Sequence, residues 1–154
     1  GPFHIQFLDN LIQSKNAVVQ RLQPGSTREN RDRLAMASGR LTTHVLDQAA
    51  GKPAAGLKIE LFRLTGGVPQ PVSHAVTNAD GRTDGPMAQG ESFTPGVYEL
   101  LFHAGDYLKS AGHVGDGILF LDTIPLRFGI EDADQHFHVP LLLSPYGYAT
   151  YRGS

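Results

Sequence analysis

The chain has 154 residues with no cysteine, 18 glycines, 10 prolines and a formal net charge of -2. That length fits one domain, the missing cysteine excludes disulfide frameworks, thiolate nucleophiles and cysteine-ligated metal centres, and the slight acidic excess argues against nucleic-acid binding. Only 18% of residues are charged, against about 25% in most soluble domains, so a turn-rich, strand-dominated protein with some surface buried between subunits is expected. No run approaches the roughly 18 apolar residues of a membrane span, and no basic segment leads into an apolar core as in an export signal. A reducing, cytoplasmic location is the expectation, with the peroxisome as the eukaryotic alternative, although Arg152-Gly153-Ser154 is not the Ser-Lys-Leu address.

Residues 1–39 read as an extension or vector-derived segment. Gly1-Pro2 has the form of a protease scar, Phe3, Phe7, Leu11, Val18 and Leu22 are loosely helical in spacing, and residues 24–33 (PGSTRENRDR) are linker-like. From residue 40 to 154 the period becomes two. Runs at 41–46, 57–61, 72–76, 97–103, 119–128, 136–143 and 146–151 alternate in hydropathy. Most are bounded by glycine, proline or aspartate turns, the pattern of an antiparallel β-sandwich or barrel. The segments 51–56, 65–71, 78–86 and 90–96 read as loops, and 105–112 as one short helix with Asp106 as its cap.

With no cysteine, histidine is the natural acid–base group near neutral pH. His136 and His138 are one residue apart in a strand and so share a face, leaving Phe137, Val139 and Leu141 to the core. A His-Phe-His triplet could ligate a metal, but no set of three or four ligands accompanies it, so no metal site is expected. His44 opposes the core-directed Thr43 and Val45. Arg82 follows an Asn-Ala-Asp-Gly turn, and its planar guanidinium suits an anionic ring or a growing oxyanion. Taken singly, His44 and Arg82 read first as solvated surface residues. The C-terminus is unusual, because it stays aromatic and β-prone up to Tyr151, where most chains end in polar residues. That favours the wall of a site or of a subunit interface.

Four ordered segments carry a resemblance: Leu41-Thr42-Thr43-His44-Val45-Leu46-Asp47, Gly51-Lys52-Pro53-Ala54-Ala55-Gly56, Thr77-Asn78-Ala79-Asp80-Gly81-Arg82-Thr83-Asp84, and His136 through Ser154 with its terminal Tyr-Arg-Gly-Ser. Together they resemble the 5-hydroxyisourate hydrolases, the transthyretin-related enzymes of urate breakdown. The resemblance implies a transthyretin-like β-sandwich of seven to eight strands with one short helix. It also implies a homotetramer with sites at the dimer–dimer interface, and hydrolysis of 5-hydroxyisourate to 2-oxo-4-hydroxy-4-carboxy-5-ureidoimidazoline without a cofactor. It assigns catalysis to His44, Arg82 and His138, and substrate binding to these with His136, Tyr151, Arg152 and Ser154. In that assignment His44 is the general base and His138 positions the water or shares its proton, roles that can be exchanged. Many members have Ser at Ala149 and Tyr at Phe137; Phe137 is expected to face the core and matter little. The alternative is a transthyretin-type small-ligand carrier, but the carrier replaces the His/Arg/His set and lacks the terminal tetrapeptide.

Overall fold

The structure, a computed structural model, describes residues 39–153. The helical spacing and linker expected within residues 1–38, and Ser154, lie outside that range. The strands are β1 (Arg40–Asp47), β2 (Lys52–Pro53), β3 (Lys58–Thr65), β4 (Val68–Val76), β5 (Ala88–Gln89), β6 (Gly96–His103), β7 (Thr123–Ile130), β8 (His136–Ser144) and β9 (Gly147–Thr150), with the helix α1 (Ala104–Ser110) after β6. One sheet runs β2-β1-β8-β9 with β5 also on β1, and the other runs β4-β3-β6-β7. The seven longer strands fall on the seven expected runs. The two additional strands hold two residues each, β2 beside one end of β1 and β5 beside the other.

Alternation decides which side chains enter the core. Thr43 and Val45 of β1, Ile59 and Leu61 of β3, and Tyr98, Leu100 and Phe102 of β6 are buried, while their neighbours in sequence point outward. Pairing departs from the antiparallel expectation at one place among the described residues: β1 runs parallel to β8, with Arg40 beside His136 and Thr42 beside His138. Period-two alternation is the same in parallel and antiparallel strands, so the sequence carries no signal of this.

Three boundaries also differ from expectation. Residues 65–71 are not all loop, since β4 begins at Val68. Its prolines Pro69 and Pro71 are tolerated because β4 is an edge strand, where a missing N–H leaves no ladder bond unmade. Strand β7 starts at Thr123 rather than 119, leaving Ile118 and Phe120 in an exposed loop. Asp106 does not cap α1: His103 stands at the N-cap position without a side-chain bond, and Asp106 lies in the first turn, where a carboxylate complements the helix dipole.

A buried polar cluster fixes the end of β1. The Asp47 carboxylate, 1% exposed, accepts hydrogen bonds from the Tyr107 hydroxyl (2.6 Å), His113 Nε2 (2.7 Å) and the Ala50 N–H (2.9 Å). Burial alone would raise its pKa, but the bonds from Tyr107, Ala50 and His113 together hold it below the ordinary carboxylate value. Burial and the adjacent carboxylate push the Tyr107 phenol upward, so it remains a donor. A carboxylate with a depressed pKa stabilises the fold above its unfolded value and loses that contribution as pH falls through the folded one. Asp47→Ala is therefore expected to cost about 2–4 kcal/mol at neutral pH, as orphaned buried donors do. In urea unfolding, the gap between parent and variant should narrow below the ordinary aspartate value of 3.8. An equal gap at pH 7 and at pH 3 would contradict this reading.

Candidate active site

The site lies on the outward face of β1 and β8. Arg40, Thr42 and His44 alternate outward along β1, and the parallel register sets His136 and His138 beside the first two. Thr42 Oγ1 lies 2.7 Å from His136 Nε2 and 2.9 Å from His138 Nδ1. The rings of His44 and His138 are 6.5 Å apart, centroid to centroid, and those of His136 and His138 6.3 Å.

Arg82 reaches this face through a turn whose geometry its sequence dictates. The Asn78 side-chain oxygen accepts from the N–H of Asp80 (2.9 Å) and of Arg82 (3.2 Å), and the Asn78 amide donates to Asp84 (3.1 Å). Gly81 has φ of +73°, and a Cβ there would stand 2.4 Å from the Val45 carbonyl oxygen. Only glycine accepts both conditions. The turn then lies against β1, with Val45 N–H donating to Gly81 O (2.8 Å) and His44 paired opposite Arg82. No ion pair engages Arg82 among the described residues.

The same turn orients His44. Its Nε2 lies 2.9 Å from the Asp80 carbonyl oxygen. A carbonyl can only accept, so Nε2 carries the proton and the neutral ring keeps its lone pair on Nδ1. For His138, burial and then the charges of Arg82, His136 and His44 push the pKa below the ordinary histidine value, favouring the neutral ring. Partial desolvation by its neighbours, with Arg40 nearby, lowers it at the largely exposed His136 as well.

A cavity of about 450 Å³ opens here, with Arg40, Thr42, Arg82, Thr83, His136 and His138 among its walls. Its size suits a small molecule. Two guanidinium groups and neutral imidazoles at its edge suit a flat anion and proton transfer to and from it.

Of the residues singled out in the sequence, His44, Arg82, His136 and His138 come together. Within one chain Tyr151 does not join them. It lies with Arg152 in a second cavity of about 320 Å³, between β7 and β8, lined also by Phe128, Phe137 and Val139. Arg152 stacks 4.1 Å from the centre of the Phe137 ring and donates to the Gln135 side chain (2.7 Å). Phe137 thus does more than face the core: it meets Phe93 on one side and carries Arg152 on the other. The terminal segment does touch the first cavity's wall through Gly153, whose N–H donates to the His138 carbonyl (2.7 Å). A Cβ on Gly153 would sit 2.8 Å from His138 Cδ2. Ala149 is exposed on β9.

Sequence reasoning overlooked Thr42, Arg40 and the anchoring role of Asn78. The first two share the outward face of His44 by simple alternation, a signal present in the sequence. Their contact with β8 required the strand order.

Comparison with known proteins identifies the family of the fold that carries this face. The model of the HIUase/Transthyretin family matches residues 41–153. A 5-hydroxyisourate hydrolase 2 from Rhizobium meliloti is 62% identical over 117 residues, 76% of this chain and 98% of the relative. A solved 5-hydroxyisourate hydrolase from Klebsiella pneumoniae has a TM-score of 0.63 at 32% identity, covering 75% of this chain and 99% of that one. A solved (S)-allantoin synthase has a TM-score of 0.72 at 50% identity over 78% of this chain; the chain spans 45% of that longer protein. Both comparisons of structure fit the two-sheet sandwich with one helix.

Proposed function

The chain belongs to the HIUase/Transthyretin family, and from that premise we propose that it hydrolyses 5-hydroxyisourate to the ring-opened 2-oxo-4-hydroxy-4-carboxy-5-ureidoimidazoline, a step of purine degradation. The observation that carries the reading is the convergence of His44, Arg82 and His138 on one face. A carrier needs no such set. Hydrolysis of a cyclic acyl C–N bond requires that water lose a proton, that the carbonyl oxygen be stabilised as it gains charge, and that the leaving nitrogen gain a proton. His44, with its lone pair on Nδ1, takes the water proton, and His138 positions the water and shares that proton. Arg82 holds the anionic ring and meets the growing oxyanion. His136 and Arg40 line the substrate's flank. Tyr151 and Arg152, which line a separate cavity within one chain, and Ser154 would complete the substrate's surroundings from a neighbouring copy across the dimer–dimer interface.

The assembly proposed is a homotetramer with its sites at the dimer–dimer interface. Strands β4, β7 and β9 end their sheets, and open edges invite pairing with a second copy across a two-fold axis. Ile118, Phe120, Tyr146, Tyr148 and Tyr151 are exposed apolar side chains that an interface would cover. No helix among the described residues is long and apolar enough to cross a membrane, and a cysteine-free chain suits the cytoplasm. Residues 1–39 are proposed to be an extension outside the hydrolase domain.

The test is the pH dependence of 5-hydroxyisourate hydrolysis, measured on the species sized by light scattering. kcat/KM reports groups in the free protein. A base that must be neutral gives a fall on the acid side, and where His138 sets it the midpoint lies below the ordinary 6.5. A flat profile from about pH 5 to 8 would remove histidine as the base, and a fully active single chain would remove the interface site.

A further inference from the structure

The Thr42 hydroxyl sits between two imidazoles and has one proton. Its Oγ1 lies 2.7 Å from His136 Nε2 and 2.9 Å from His138 Nδ1, its two hydrogen-bond partners among the described residues. A hydroxyl has one proton to give and two lone pairs, so at most one of the two facing nitrogens can be a bare acceptor. The arrangement in which Thr42 gives its proton to one ring and accepts from the other sets opposite states at the facing nitrogens: one is N–H, the other a lone pair.

We propose that Thr42 is a positioning residue that couples His136 and His138 as a two-proton relay and so sets which form His138 Nε2 presents to the cavity. The proposal deepens the hydrolase reading and rests on it for its role in turnover. In the base form, His138 Nδ1–H donates to Thr42 Oγ1, Thr42 O–H donates to His136 Nε2, and His138 Nε2 carries a lone pair. When Nε2 takes up the water proton that His138 shares with His44, His138 becomes an imidazolium. A concerted shift then moves the Nδ1 proton to Thr42 Oγ1 and the Thr42 proton to His136 Nε2. His138 returns to neutral with Nε2–H, and the positive charge rests on His136. The reverse shift brings the charge back as the leaving nitrogen takes the Nε2 proton, so protons and charge balance over the cycle.

The surroundings favour that transfer. His138 is half-buried, with the Arg82 turn on one side, His44 of β1 on another and the Gly153 backbone against its ring. A charge held there meets Arg82 directly. His136 is exposed to solvent; Arg40 is the cation facing it, also exposed. Moving the charge outward by one hydroxyl thus moves it away from Arg82 and, within one chain, toward the more exposed side of the face, where like charges repel less.

The test uses the full chain with Thr42→Val, which keeps the β-branched shape suited to a strand and removes the hydroxyl, and Thr42→Ser, which keeps the hydroxyl. Thr42→Val should lower kcat by about 10- to 100-fold, less than loss of a full acid–base group, with KM within about threefold. Thr42→Ser should recover most of that loss. In parallel, ¹⁵N shifts of the ligand-free protein at alkaline pH should give opposite protonation at His136 Nε2 and His138 Nδ1 in the parent and in Thr42→Ser, and a mixture of tautomers in Thr42→Val. Equal states at the two nitrogens in the parent, or a Thr42→Val protein with parent kcat and parent shifts, would overturn the relay. A parent without hydrolase activity would remove the function alone, and the nitrogen shifts would still decide the coupling.

Discussion

Replacing His138 with Asn is expected to lower kcat for 5-hydroxyisourate by about two orders of magnitude or more, and His44→Asn likewise, the range lost with a general acid–base group. The two rings stand 6.5 Å apart, centroid to centroid, close enough to act on one bound molecule and its attacking water. They are held in different ways. His44 is fixed by a carbonyl that dictates its tautomer, with Nε2 2.9 Å from Asp80 O. His138 is fixed by a hydroxyl that leaves the tautomer adjustable, with Nδ1 2.9 Å from Thr42. That difference suits His44 to accept the first proton and His138 to share and return it. Neither side chain belongs to the hydrophobic core, so thermal unfolding of both variants should stay close to the parent. Rates near the parent's in both would contradict the assignment.

Arg82→Gln should cost about 10²–10³ in kcat, the effect of removing a preorganised group that meets developing oxyanion charge. It carries a second readout. Arg82 is among the charges that hold His138 neutral, after burial itself. With the guanidinium gone the His138 pKa rises, and the acid limb of kcat/KM moves to higher pH. A variant that loses turnover with its acid limb unmoved would place Arg82 away from His138. One that keeps turnover would leave the oxyanion without its proposed partner.

Much of the fold is legible in the sequence because period-two alternation reports burial directly. The outward placing of His44 between Thr43 and Val45, and the shared face of His136 and His138, follow from it and hold in the structure. What alternation cannot report is which strand lies beside which, and in what sense. The parallel contact of β1 with β8 is a pairing of residues nearly a hundred apart, and no local pattern encodes it. Thr42 is invisible for that reason: alone it is an outward threonine in a strand, and only the register makes it the link between two histidines. Tyr151 shows the opposite difficulty. Its place in the terminal tetrapeptide led to the expectation that it shares the histidine pocket, whereas within one chain it lies with Arg152 and Phe137 in a separate cavity. The β4 start was misread for a simpler reason. Prolines ordinarily end strands, but an edge position at Pro69 and Pro71 removes their cost.

The most direct test is the lifetime of freshly generated 5-hydroxyisourate, followed by absorbance with increasing catalytic amounts of the chain. The decay rate should rise in proportion to protein concentration above the spontaneous rate, with the ring-opened product accumulating as substrate disappears. A lifetime independent of protein concentration, with the protein folded and assembled, would contradict hydrolysis at the His44, Arg82 and His138 cluster and return the chain to the class of small-ligand carriers.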